Sequence, residues 1–209
     1  MYIDVDALVS DVVNFWDNTI ETQYQNPARR EARIRHHLQR TVEDVWWHRA
    51  WPLAMTSTTL VMTAGSAARP TDFGRVGPEG ALHDSNGRPW IEQAYQDLFI
   101  MRARGLNREK RYYCVADKIY VVDPTSTQSF TLIYQKQAPT ITAGVETGLP
   151  QAFGHALLLG TVAKLKEEEG DPRPNWRADY LRALAQVTAV EAQKRSRVQQ
   201  VPTSVPGMW

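Results

Sequence analysis

The chain has one cysteine, Cys114, in 209 residues. That excludes an internal disulfide and any thiolate metal cluster, and it is compatible with a reducing compartment. Net charge is nearly absent: 24 Lys and Arg stand against 23 Asp and Glu, a formal +1. The chain as a whole therefore has no electrostatic case for binding nucleic acid. Long apolar runs are missing too. The longest, around Ala156 to Leu159, is far too short to span a bilayer, so no membrane partner is expected. The opening Met-Tyr-Ile-Asp-Val-Asp lacks the basic and apolar regions of a signal peptide, and synthesis in the cytoplasm is the expectation.

Chemically competent clusters are equally scarce. The five histidines are His36, His37, His48, His83 and His155. The adjacent pair diverges by about 100° on a helix and cannot chelate as two ligands one turn apart would. No metal and no cofactor is expected. There is no glycine-rich loop followed by Lys-Ser/Thr and no dinucleotide fingerprint. Cys114 sits within a strand pattern beside tyrosines, where a buried inert thiol is the simpler reading. Glu167-Glu168-Glu169 ends an amphipathic helix and reads as a solvated face. Asp72 is isolated, and Glu31 and Glu43 lie among arginines that would make them poor general acids. No catalytic residue is assigned, and the chain reads as a non-enzyme.

What is present is helical at both ends and β-rich between. Hydrophobic residues make up 43% and charged residues 22%, with seven tryptophans, a residue enriched where surfaces are buried against partners. A first helix is predicted from Asp4 or Asp6 to Asp17, with Leu8, Val12, Phe15 and Trp16 on one face. Asn26-Pro27 is a cap followed by proline at the first helical position. It opens a second helix to about Trp47, with Ile34, Leu38, Val42 and Val45 as its buried stripe. Arg29, Arg30, Arg33, Arg35, His36, His37 and Arg40 crowd its first half. Glu43 and Asp44 follow at the end unfavourable for acids.

The periodicity then changes. Thr56 to Thr63 is β-branched and strand-like. Gly65 to Pro89 reads as turns and short strand pieces, and Pro89 to Met101 as a short helix carrying Ile91, Tyr95 and Leu98. Arg111 to Val122 reads as a hairpin turning at Ala116-Asp117-Lys118. Phe130, Leu132 and Tyr134 alternate on a third strand, and together these predict a meander apolar on both faces. A third helix opens at Leu149-Pro150 and ends at Gly170, with Gly154 and Gly160 permitting close helix approach. A last helix runs from Asn175 to about Gln199, with Trp176, Tyr180, Leu184, Val187 and Glu191 as its stripe.

The expected fold is α+β: an antiparallel bundle of four main helices with a β-rich insertion and an extended C-terminal tail. Its parts are a helical core (1–50 with 149–199), the insertion (51–148) and the tail (200–209). Two prolines keep the tail from forming a helix, yet it carries Val205, Met208 and Trp209. Such a segment suits ordering against a partner.

The order of features also carries a resemblance. These are Trp46-Trp47 and Arg49 at the end of the second helix, Thr63-Ala64-Gly65 closing a strand, and Arg69-Pro70-Thr71-Asp72-Phe73-Gly74-Arg75-Val76. Tyr113-Cys-Val-Ala-Asp-Lys-Ile-Tyr120, Asp123-Pro124, Leu132-Ile-Tyr134 and Leu149-Pro150 follow. In this order the chain resembles the head-to-tail adaptors of tailed bacteriophages, the broad group that includes tail tubular A and head-completion connectors. Arg69 stands where that group often has Leu.

The resemblance implies a ring, typically of twelve copies, beneath the portal of the filled head. Such a ring extends the channel for double-stranded DNA, its cargo, and offers a platform to the tail, nozzle or tube protein. It implies a virion location at the head–tail interface after assembly in the host cytoplasm. On this reading Arg195, Arg197, Val201, Val205, Met208 and Trp209 bind the portal. Trp46, Trp47 and Trp51 anchor the subunit contact or the core beneath it. Arg29, Arg33 and Arg40 form a channel-lining or otherwise charged face, and the β-rich part faces the tail or outward. Two other functions stay open: a peptidoglycan-degrading virion enzyme, which needs paired acids on a groove, and a stand-alone nucleic-acid binder.

Overall fold

In the computed structural model the protein is described over residues 2–17, 26–77, 81–106, 111–170 and 175–198, with the side chains of 16, 17 and 193–198 left aside. Those residues form five α-helices and ten short strands, an α+β fold. The chain divides into two compact units, one of residues up to Val45 and from Pro139 on, the other Trp46–Ala138.

The first unit opens with a strand the helical pattern had hidden, β1 (Tyr2–Asp4). Asp4 closes it and caps α1 (Val5–Asp17), its Oδ1 accepting from the Ala7 N–H at 2.9 Å. Leu8 and Val12 are buried, but Phe15 of the predicted stripe is 37% exposed. In α2 (Pro27–His48), Asn26 Oδ1 accepts from the N–H groups of Ala28 and Arg29 at 3.0 and 3.3 Å, the expected cap. Ile34, Leu38, Val42 and Val45 are all fully buried.

The second unit holds most of the β structure. One sheet joins β2 (Met55–Val61), β9 (Ser129–Lys136) and β4 (Phe73–Val76), with β5 (Leu82–His83) also pairing β9. The other runs β3 (Ser66–Ala68), β8 (Lys118–Val121), β7 (Tyr112–Val115) and β6 (Ile91–Glu92), the last pair parallel. The hairpin of β7 and β8 is as predicted, but the meander is not: β9 leaves it for the other sheet. The chain turns at Asp123, whose Oδ1 accepts from the Thr125 N–H (2.9 Å) and hydroxyl (2.7 Å), an Asx turn that redirects it. Ile91 is not on a helix either. Its N–H bonds the Arg111 carbonyl at 2.7 Å, so it adds a strand, and α3 starts only at Tyr95 and runs to Ala103. One core joins both sheets and α3: Leu60, Tyr113, Ile119, Phe130 and Leu132 pack with Leu98. At roughly 1.5–3 kcal/mol per buried large side chain, such a core can stabilise the unit from within.

Back in the first unit, β10 (Glu146–Pro150) pairs antiparallel with β1. This overturns one expectation. Leu149-Pro150 ends a strand and does not open a helix, and residues 139–148 fall with the first compact unit. A 3-10 turn (Gln151–Phe153) leads into α4 (Gly154–Glu168). Gly170 then takes φ +70°, the left-handed stop that favours glycine. The last helix is α5 (Asn175–Val198), with Ala183, Leu184 and Val187 buried. Of the two glycines expected to allow close approach, only Gly160 does. A Cβ there would lie 2.5 Å from Thr41 Cγ2 on α2 and 2.8 Å from the Tyr180 ring on α5, whereas one on Gly154 would meet only Ile3 Cδ1 at 3.8 Å.

Gly160→Ala is expected to destabilise the fold by roughly 1–3 kcal/mol through overpacking, although alanine is the better helix former by about 1 kcal/mol. Gly154→Ala is expected to be neutral or stabilising. Thermal unfolding of the two variants beside the parent checks both signs.

Candidate functional site

The residues singled out by the loop Arg69–Val76 meet in the second unit. Trp46 is buried, and its indole N–H donates to the Lys136 carbonyl at 2.8 Å. Gln135, fully buried, returns a bond from Nε2 to the Trp46 carbonyl at 2.7 Å and accepts from Arg75 Nε at 2.7 Å. The Arg75 guanidinium stands 5.5 Å over the half-buried Trp47 ring. A side chain at Gly74 would collide with that ring, which explains the glycine.

Asp72, which looked isolated, accepts the Tyr134 hydroxyl at 2.6 Å. Phe73 stacks on Tyr134 at 5.6 Å, with Arg69 above it at 5.6 Å. Arg69 thus supplies a cation over an aromatic face where leucine would supply only bulk. Trp46 and Trp51 are interior: Trp51 is fully buried with Arg49 4.9 Å over its ring. Of the three tryptophans, only Trp47 keeps accessible surface.

In the first unit, α2 presents its basic face to the end of α4. Arg33 Nε donates to Glu168 Oε2 at 3.0 Å and lies within 4.0 Å of Glu169. His37, 4% exposed, shares Glu168 Oε2 at 2.5 Å. The acidic end of α4 is therefore engaged, not merely solvated. A depression of about 480 Å³ lies here, lined by Arg33, His36, His37, Arg40, Lys164 and Glu167 with Glu168. Arg33 and Arg40 share it; Arg29 stands apart, exposed in the first turn of the helix.

The acids at the unfavourable end of α2 also have partners. Glu43 accepts from Gln39 Nε2 at 2.7 Å, and Asp44 from Lys164 Nζ at 2.6 Å. Among the described residues no three His, Cys, Asp or Glu side chains converge as metal ligands would.

A larger groove, about 930 Å³, opens along α1, β1 and the start of α4. Ile3, Leu8, Phe15 and Leu158 form its apolar wall, and Asp4, Asp11 and Glu146 carry acid around it. Sequence reading missed it, because it depends on the pairing of β1 with β10. The one available signal was the lack of any Lys or Arg among the first 17 residues. Of the residues assigned to portal binding, Val201, Val205, Met208 and Trp209 lie outside the described residues. Arg195 and Arg197 are on α5, with their side chains outside them.

Burial lowers the His37 pKa below 6.5, and hydrogen bonds from His37 and Arg33 lower that of Glu168 below 4.5. Both shifts act in one direction. A depressed histidine pKa contributes stability above about pH 6.5 that falls as the unfolded chain takes up a proton below it; the carboxylate contribution is lost further down, below 4.5. Melting temperature is therefore expected to fall between pH 7 and pH 5, and His37→Gln to flatten that decline while Arg40→Gln leaves it unchanged.

Of the carriers of the resemblance, Trp46, Trp47, Asp72, Phe73, Arg75 and Tyr134 thus make one neighbourhood in the second unit, whereas Leu149-Pro150 lies in the first. Over residues 4–206 the sequence matches the SU10 adaptor protein family. No curated protein matches it. A match that begins at the cap of α1 and continues past the end of α5 takes in both compact units, and the chain belongs to the SU10 adaptor protein family, a family of phage head-to-tail adaptors.

Proposed function

We propose that the protein assembles as a ring of about twelve copies beneath the portal, extends the channel through which double-stranded DNA passes, and offers the attachment platform for the tail, nozzle or tube protein. Family membership carries the coarser part: a structural head-to-tail adaptor of the virion whose partners are portal and tail proteins. The ring, its copy number, the channel, assembly in the host cytoplasm and the tail tubular A grouping are the finer reading. So is an antiparallel bundle as the working form of α1, α2, α4 and α5.

The observation that carries the proposal is the reach of the family match to residue 206. The C-terminal segment as far as Pro206 is thereby part of the shared pattern, and Met208 and Trp209 follow just after it. Lys194, Arg195 and Arg197 precede Val201, Val205, Met208 and Trp209, a basic stretch leading to oily groups that pays off only against another surface. Pro202 and Pro206 restrict the free chain beforehand, which lowers the entropy cost of ordering it. The portal is the assigned partner for this end.

The role needs no catalysis, and two features favour a non-enzymatic reading. Glu168 is held ionised by His37 and Arg33, which makes it a poor proton donor. Cys114 is buried, and burial pushes its thiol up to about 11, so almost no thiolate forms at neutral pH.

The test is negative-stain imaging of the protein mixed with portal rings of the same phage, beside a version ending at Arg197. Full-length protein is expected to cap the portal as a ring, and the shortened form to lose that docking. Equal docking of both removes the C-terminal anchor; no ring on the portal with the full chain removes the ring reading.

A further inference from the structure

α5 has more apolar surface than its own chain covers. Ala183, Leu184 and Val187 are buried, and Tyr180 is pushed up to about 12 by burial. A second set at spacings of three and four, Ala178, Leu181, Ala185, Ala189 and Ala192, lies exposed, with Leu181 53% accessible. Helical geometry puts Arg177 on one flank of this set and Arg182 on the other, and both are exposed. Glu191 falls outside it, and Asp179, also outside, pairs with Arg182 at 3.1 Å. The outer face is thus a narrow apolar ridge with Arg177 on one border and the Arg182–Asp179 pair on the other.

The groove along α1, β1 and α4 has the opposite character. Its wall is Ile3, Leu8, Phe15 and Leu158, and its acids are Asp4, Asp11 and Glu146. No basic residue is among those lining it other than His155. At about 930 Å³ it is as large as a site for a sizeable ligand. Its long apolar wall and open acidic border fit a helix flank with small side chains and Arg177 at its edge.

We propose that the acid-bordered groove of one copy receives the outer face of α5 from the next copy, with Leu181 as the central apolar contact. This names the subunit contact within the ring reading and rests on it. Groove and ridge are different surfaces of the same unit, so the contact is heterologous: each copy gives a ridge to one neighbour and a groove to the other. Such contacts close into rings when the rotation allows. Opposite charge on the two surfaces steers this pairing and disfavours ridge-to-ridge and groove-to-groove encounters, which would set like charges together. Alanines along the ridge let the helix seat closely, while Leu181 supplies the bulk.

The test uses the full chain with Asn14→Cys, in the groove, and Leu181→Cys, on the ridge, treated with a short bismaleimide alone and with portal rings. Cys114 stays silent because it is 1% exposed and its thiol is pushed up to about 11. The double variant is expected to give a ladder of covalent multimers, a mixture of the two single variants only dimers, and each single variant alone no product. Leu181→Asp is expected to raise the concentration needed for assembly about tenfold or more, with monomer melting unchanged.

Dimers from Leu181→Cys alone mean a two-fold ridge contact and overturn the proposal. So does protection of both cysteines by portal without cross-linking, which assigns the groove to the portal. Rings without a ladder overturn this contact and leave the ring standing. Failure to assemble under any condition, portal included, overturns both.

Discussion

The close approach of three helices at Gly160 sets what the rest of the helical unit can do. Thr41 and Tyr180 both reach the space a side chain there would take, so α2 and α5 converge on the same side of one turn of α4. Thr41 is fully buried and answers its own polarity by donating to the His37 carbonyl at 2.9 Å. One turn back along α2, that packing sinks His37 against the end of α4, where its ring nitrogen finds Glu168. With the inner face of α5 committed to Gly160, its outer stripe is left without an intrachain partner among the described residues. A single missing methyl thus decides a buried polar pair at one end and an open apolar face on another helix.

Electrostatics follow from the same contact. A helix start crowded with arginines is unfavourable by itself, since cations belong at the other end of the dipole. Here the acids that compensate come from elsewhere in the chain. Arg35 pairs with Asp6 at 2.8 Å, and Arg33 with Glu168 at 3.0 Å. At the far end the signs reverse, and Asp44 is met by Lys164. Pairs this accessible contribute little each, typically 0–1 kcal/mol. Their value is in register. Reversed charges at the two ends of α2 against α4 favour one alignment, and sliding either helix by a turn would set like charges together. His37 differs because it is buried, so its protonation state is tied to whether α2 and α4 stay together.

Much of this was legible in the sequence because the relevant signals are local. Asn26-Pro27 and the stripe Ile34, Leu38, Val42, Val45 define α2 through capping and period, and both need only a few neighbouring residues. The hairpin at Ala116-Asp117 is local too. The failures are long-range. β1 is three residues long and becomes a strand only because β10, more than 140 positions away, lies beside it. Ile91 falls on a helical face in projection, yet the edge of β7 offered a better partner for its N–H. Glu168 looked solvated because nothing nearby in sequence announces His37. The α+β class and the general adaptor resemblance survived these misses, since both rest on the order of elements. The groove did not come through, because it is made by a pairing that no window of residues contains.

The two units treat their tryptophans and surfaces differently, and the difference bears on what an adaptor must do. In the second unit, Trp46 and Trp51 are spent internally, one through a hydrogen bond to Lys136 and the other by complete burial. Removing a side chain of that size from a filled core costs about 3–5 kcal/mol, so both rings serve folding, whatever the outside of that unit binds. The core of two sheets and α3 closes without using Ile91, Tyr95 or Ile100, each roughly half exposed. Residues spared by the core are free to change as a partner changes. The helical unit has the reverse economy: its interior is locked around a glycine, and its unsatisfied surface is ordered, with one sign of charge around a groove and the other beside a ridge. A contact repeated between identical copies has to be encoded on both of its faces at once, and the proposed pairing of ridge and groove would meet that requirement within one unit.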